Sequence, residues 1–160
     1  MKFLIFTLLI IISTPVLAGD NPNERPFWGA FSGVANFMPA AECDAISGIQ
    51  TIALTDGRMT HLGKSEFSTS HCPTEDGMYA LLGEATMVAA NGDELSFTYT
   101  AETVAPPLSI IQEIDMVITG GTGRFDGASG ELSGHVYIDF LGMTVPNWPL
   151  TFVLSGYIVY

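Results

Sequence analysis

Positive charge is scarce in this chain. Five lysines and arginines stand against 17 aspartates and glutamates, for a net charge of −12. A surface this acidic repels phosphate backbones and anionic lipids, so a nucleic-acid partner is disfavoured. The acids are dispersed, with no run of like charge that would mark an acidic tail. Helical periodicity is missing throughout. Cysteine is reduced to Cys43 and Cys72, and the histidines to His61, His71 and His135. No serine sits in a Gly-x-Ser-x-Gly elbow, and no twelve-residue calcium loop accompanies the acid pairs Glu75-Asp76 and Asp93-Glu94. The one long apolar run, Phe3–Ile12, is too short to span a bilayer, which needs roughly 20 apolar residues.

That run has a different meaning. Lys2 precedes it, and Ser13-Thr14-Pro15 and Val16-Leu17-Ala18 follow, with small residues at the −3 and −1 positions of a cleavage site after Ala18. Residues 1–18 therefore read as a secretory signal peptide. No cysteine follows the site, so a lipid anchor is not expected. Loss of Lys2 makes the mature chain one unit more negative, with Arg25, Arg58, Lys64 and Arg124 as its cations. Gly19–Pro26 reads as a loose arm, and Phe27–Tyr160 as a single domain. Export places the protein in the periplasm or outside the cell. There, an even cysteine count reads as a Cys43–Cys72 disulfide. The bridge closes a loop of about 30 residues and contributes about 3–4 kcal/mol on the chain-entropy model. A metal site from Cys43, Cys72, His61 and His71 is the competing reading, and adjacent His71-Cys72 lacks the usual ligand spacing. No metal and no cofactor are expected.

Period-two patterning runs through the mature chain. Phe27, Phe31 and Phe37 share one parity with Gly29, Gly33 and Ala35, an alternation of large and small that suits the inside of a curved sheet. Ser47–Leu54 reads as a second strand, Thr55–Arg58 as a turn on Asp56-Gly57, and Met59–Ser70 as a third, polar strand ending at His71-Cys72. Tyr79–Ala90 is a fourth. Asn91-Gly92 marks a hairpin. Leu95, Phe97, Tyr99 and Ala101 then alternate cleanly with Ser96, Thr98, Thr100 and Glu102. A loop with Pro106-Pro107, a strand over Ile110–Thr119, a strand from Gly134, a loop at Gly142–Pro149 carrying Trp148, and a last strand over Leu150–Tyr160 complete the chain. The sum is an all-β fold, an antiparallel barrel of about eight strands.

Between the sixth and seventh strands lies a glycine-dense corner: Gly120, Gly121, Gly123, Arg124, Phe125, Gly127 and Gly130. It lacks the helix that a phosphate cradle requires, so it reads as a structural turn. Arg124 is expected to pair with Asp126 or Glu131, and Phe125 to plug the barrel end.

The stretch Val117-Ile118-Thr119-Gly120-Gly121-Thr122-Gly123-Arg124-Phe125-Asp126-Gly127-Ala128-Ser129-Gly130 resembles the strand–corner–strand motif shared by allene oxide cyclases and plant dirigent proteins. Asn91–Leu95 and Thr151–Gly156 fall where those families place matching strands. The likeness covers roughly the second half of the chain and is strongest to exported bacterial members of that superfamily. It implies the barrel, a pocket for an apolar molecule, and a possible homo-oligomer. It carries over no pocket residue, because Phe27–Leu54 offers no match for the cyclases' pocket carboxylate and asparagine.

The candidate chemistry is thin. Glu113 and Asp115 share a strand face and become pocket acids if that face points inward. The opposite face, with Ile114, Met116 and Ile118, argues that they point out. His135 shares a face with Tyr137 and Asp139, a solvated row or an acid–base pair at the rim. The expected function is that of a non-catalytic exported protein whose barrel mouth takes a small apolar ligand or a protein partner, without stable membrane insertion. The alternatives are a cofactor-free isomerase or cyclase acting on a lipid-like substrate, and a small outer-membrane barrel, suggested by the apolar last strand ending in Tyr160.

Overall fold

The computed structural model describes residues 23–105, 109–139 and 147–160. The leader assigned to 1–18 lies outside these residues. Eight antiparallel strands close into one barrel in sequence order. They are β1 (Arg25–Pro39), β2 (Ile49–Met59), β3 (Gly63–Pro73), β4 (Tyr79–Ala89), β5 (Glu94–Ala105), β6 (Ser109–Gly121), β7 (Ser129–Asp139) and β8 (Trp148–Val159). The ring closes where β1 pairs with β8, with Phe31 opposite Phe152. Closure leaves no long edge unpaired, which suits a chain this rich in β-formers.

Alternation sets the inside and the outside. Leu95, Phe97, Tyr99 and Ala101 are buried, and Ser96, Thr98, Thr100 and Glu102 between them are exposed. The middle of the barrel is filled by aromatic rings: Phe67 lies 5.1 Å from Phe31 and 5.0 Å from Phe152, centroid to centroid. Leu95, Leu132 and Leu154 complete the filling. The outer wall bears Glu66, Glu84, Glu102, Glu113, Asp115 and Glu131, all exposed. A transmembrane barrel needs the reverse, an apolar belt outside and a polar lumen.

Several expectations need correction. Asp56-Gly57 is not a turn: β2 runs on to Met59, and the chain reverses at Thr60–Leu62, with His61 at φ 67°. Gly57 is needed inside the strand. It lies opposite Phe31, and a Cβ there would overlap the Ala30 carbonyl oxygen and come within 2.7 Å of Phe31 Cα. Trp148 opens β8 instead of sitting in a loop, and its ring lies 4.3 Å from that of Phe37. Phe37 is therefore half-exposed at the barrel's rim and not within its core. β1 begins at Arg25.

The glycine corner behaves as a corner. Gly120, Gly123, Gly127 and Gly130 all take positive φ. Phe125 is fully buried against Tyr160, at 5.0 Å between ring centroids, and stoppers that end of the barrel. Arg124 does not use Asp126 or Glu131. Its Nε lies 3.4 Å from Asp93 Oδ2, a carboxylate supplied by the β4–β5 hairpin. Gly123 faces that carboxylate so closely that a Cβ would displace it.

Cys43 and Cys72 form the expected disulfide, with Cα atoms 5.5 Å apart. It fastens the β1–β2 connection, which folds compactly as the amides of Ile46, Ser47 and Gly48 all donate to the Cys43 carbonyl. The bridge lies at the end of the barrel opposite the Phe125 stopper.

Candidate functional site

The interior is apolar along most of its length. Of its buried polar residues, Thr51, Thr69 and Thr103 gather where β3 ends, while Thr55 and Ser65 lie further along the barrel. Within β3, Ser65, Phe67, Thr69 and His71 share the inward parity. Thr51 of β2 sits directly opposite His71. Tyr99 of β5 reaches the same place: the His71 Nδ1 and Tyr99 hydroxyl oxygen are 2.8 Å apart, with the two rings nearly perpendicular at 83°. A bulge at Leu81–Leu82, where Leu82 takes φ 53°, sets Gly83 opposite Tyr99. Only glycine fits, since a Cβ would approach the Tyr99 ring to 2.7 Å. The strained bulge therefore serves the placement of Tyr99. Gln112 of β6 donates from Nε2 to the Thr103 hydroxyl at 3.3 Å, and Thr103 donates to the Gly77 carbonyl at 3.0 Å.

Burial fixes the charge states. Desolvation lowers the His71 imidazole from 6.5 to about 4, so the ring is neutral at pH 7. Burial raises the Tyr99 phenol well above its ordinary value, with an opposing contribution from a hydrogen bond with Thr69. The neutral imidazole carries one ring proton, and its Nδ1 shares the bond with Tyr99. Among the described residues no other hydrogen bond to the His71 ring occurs.

A small cavity of about 20 Å³ remains here. Thr51, Thr69, His71, Tyr99 and Gln112 contribute its polar lining, and Ile114, Val136 and Phe152 are among its apolar walls. The Thr51 hydroxyl is buried and has no hydrogen-bond partner. The other buried threonine hydroxyls are engaged, as Thr55 illustrates by donating to the Phe67 carbonyl at 2.8 Å. Beyond the cavity, Phe37, Ile49 and Trp148 stand at the same rim.

The residues singled out in the sequence lie elsewhere. Glu113 and Asp115 are exposed on the outer wall, because Ile114, Met116 and Ile118 take the interior; they are not pocket acids. Among the described residues no carboxylate is buried. His135 is also outward, 6.2 Å from Tyr137 between ring centroids. His61 occupies the opposite end from His71, between Phe27 and Tyr160, with Nε2 3.0 Å from the Pro26 carbonyl oxygen. The set Cys43, Cys72, His61 and His71 therefore never converges, and its sulfurs are bonded to each other. The loop acids have structural uses: Asp76 Oδ1 accepts from the Thr74 hydroxyl and the Met78 amide, and Asp93 holds Arg124.

The His71 cluster itself escaped the sequence reading. Its one signal was parity: His71 falls in step with Phe67, the large apolar residue of that strand. A larger hollow of about 610 Å³ lies on the outer wall across β5–β8, an open depression edged by Thr98, Asp115, Glu131 and Tyr157.

These features define the class: a closed eight-stranded antiparallel barrel with a filled core and one polar end. No protein-family model and no curated protein matches the chain. Among solved structures, it is similar to that of the pterocarpan synthase dirigent protein GePTS1. The identity is 16%, over 94% of this chain and 98% of that one, with a TM-score of 0.49.

Proposed function

We propose that this is a non-catalytic binding protein, exported to the periplasm or the cell exterior, that takes a small apolar ligand at the His71 end of its barrel. The observation that carries the reading is the interior itself. Aromatic and leucine side chains fill it except at one end, where a neutral polar cluster faces a small space beneath an aromatic rim. Ligand sites on β-barrels favour such mouths, with mostly apolar walls and a few fixed polar groups. The disulfide and the signal-like leader support export.

The rival reading, a cofactor-free isomerase or cyclase on a lipid-like substrate, needs an inward group that exchanges a proton near neutral pH. The His71 value near 4 and the raised Tyr99 value lie on either side of that range. Both groups are uncharged at neutral pH, which suits an anchor better than a proton carrier. An outer-membrane barrel finds no support in a wall that carries exposed carboxylates on its outside.

Native mass spectrometry of protein purified from an exporting cell tests the proposal. The expected spectrum shows the disulfide-bonded chain with a small-molecule adduct, one per barrel, that organic extraction removes. A protein that carries no adduct and takes up no hydrophobic probe overturns it.

A further inference from the structure

We infer that the His71 end recognises an uncharged oxygen, that of an alcohol, aldehyde, ketone or phenol, at the tip of an apolar molecule. The inference rests on the binding-protein reading above and names its ligand chemistry. Thr51 is 5% exposed, its hydroxyl lacks a partner, and it lines the cavity. A buried hydroxyl left unbonded is costly, and nearly all such groups in folded proteins find a partner. Directly across the strand pair, His71 has Nδ1 bonded to Tyr99, which leaves Nε2 as its second polar atom. The unpartnered Thr51 hydroxyl and the His71 ring thus meet from β2 and β3 at a space of about 20 Å³, room for one oxygen-sized group. Thr51 also accepts, so a hydroxyl ligand both receives from and donates to the cluster.

The charge state of the ligand follows from its surroundings. The polar lining is hydroxyls, an amide and a neutral imidazole, and no lysine or arginine is among the cavity residues. A carboxylate buried there would lack a counter-charge and would face a strongly acidic protein, so the anion is rejected. The apolar remainder of the ligand lies against Phe37, Ile49 and Trp148 at the rim.

The test titrates the disulfide-bonded protein with 1-octanol, octanoate at pH 8 and n-octane, followed by NMR shifts of the Thr51 and His71 resonances. Octanol is expected to bind and to move the His71 Nε2 signal, with octanoate at least tenfold weaker. Thr51→Val is expected to weaken octanol about fivefold to tenfold, the size of one hydrogen bond, and Thr51→Ser to restore it. If Thr51→Val does not fold, the octanol-to-octanoate ratio and the Nε2 shift decide. Octanoate binding as tightly as octanol, or octanol and octane acting alike with no Nε2 shift, overturns the neutral-oxygen anchor while leaving an apolar binding barrel in place. Absence of binding by all three overturns both.

Discussion

Replacing His71 by glutamine should remove a specific acid sensitivity. In the folded protein the imidazole titrates at about 4, and in the unfolded chain at its ordinary 6.5. Between those values the unfolded chain holds a proton that the folded one refuses. Stability therefore rises with pH through this window, and it falls on acidification from about 6.5 towards 4. At 1.36 kcal/mol for each pH unit of displacement, the full loss is about 3 kcal/mol. The physical cause is desolvation of a ring that has one fixed partner, Tyr99 at 2.8 Å, and no adjacent anion. Acidification also neutralises surface carboxylates and relieves repulsion in an acidic protein, so the wild-type profile alone mixes two effects. The difference between wild type and His71→Gln isolates one. Urea unfolding at pH 7, 6, 5 and 4 should give two curves whose gap shifts against the wild type by about 2–3 kcal/mol as pH falls. Parallel curves would refute the reasoning, because they would mean that His71 titrates alike in the folded and unfolded chain.

Reducing the Cys43–Cys72 bridge, at a sequence separation of 29, should cost about 3–4 kcal/mol, a fall of about 10–15 °C in Tm by calorimetry with and without reductant. Gly57→Ala should destabilise by more than about 2 kcal/mol in chemical denaturation, since the new methyl overlaps the β1 backbone; a turn glycine with φ below zero would tolerate alanine. Glu113→Gln and Asp115→Asn, on the exposed wall, should each stay within about 0.5 kcal/mol of wild type and leave octanol binding unchanged.

How legible the chain was depends on the range of the interaction. Leu95–Thr103 declared its faces because alternation is a property of neighbours. Asn91-Gly92 declared its hairpin, and Gly92 takes φ 85°. The glycine corner and the cysteine pair were equally plain. What failed was non-local. Asp56-Gly57 carries turn chemistry, yet the ring of Phe31 across the strand pair decides its role. Arg124 found Asp93, 31 residues upstream, and neither of the acids beside it. The His71 site needed β2, β3, β5 and β6 to be brought to one barrel end, and a bulge at Leu82 that no composition announces. A polar strand read in isolation gives no reason to expect a buried imidazole; only the register against Thr51 supplies it.

The most direct test is a crystal structure of the protein soaked in 1-octanol. The hydroxyl oxygen is expected within hydrogen-bond distance of Thr51 Oγ1 and His71 Nε2, with the alkyl chain leaving past Phe37 and Trp148. Octanol seated only on the outer wall, or a single water held at Thr51 with the rim unoccupied, would contradict the assignment of this end as the binding site.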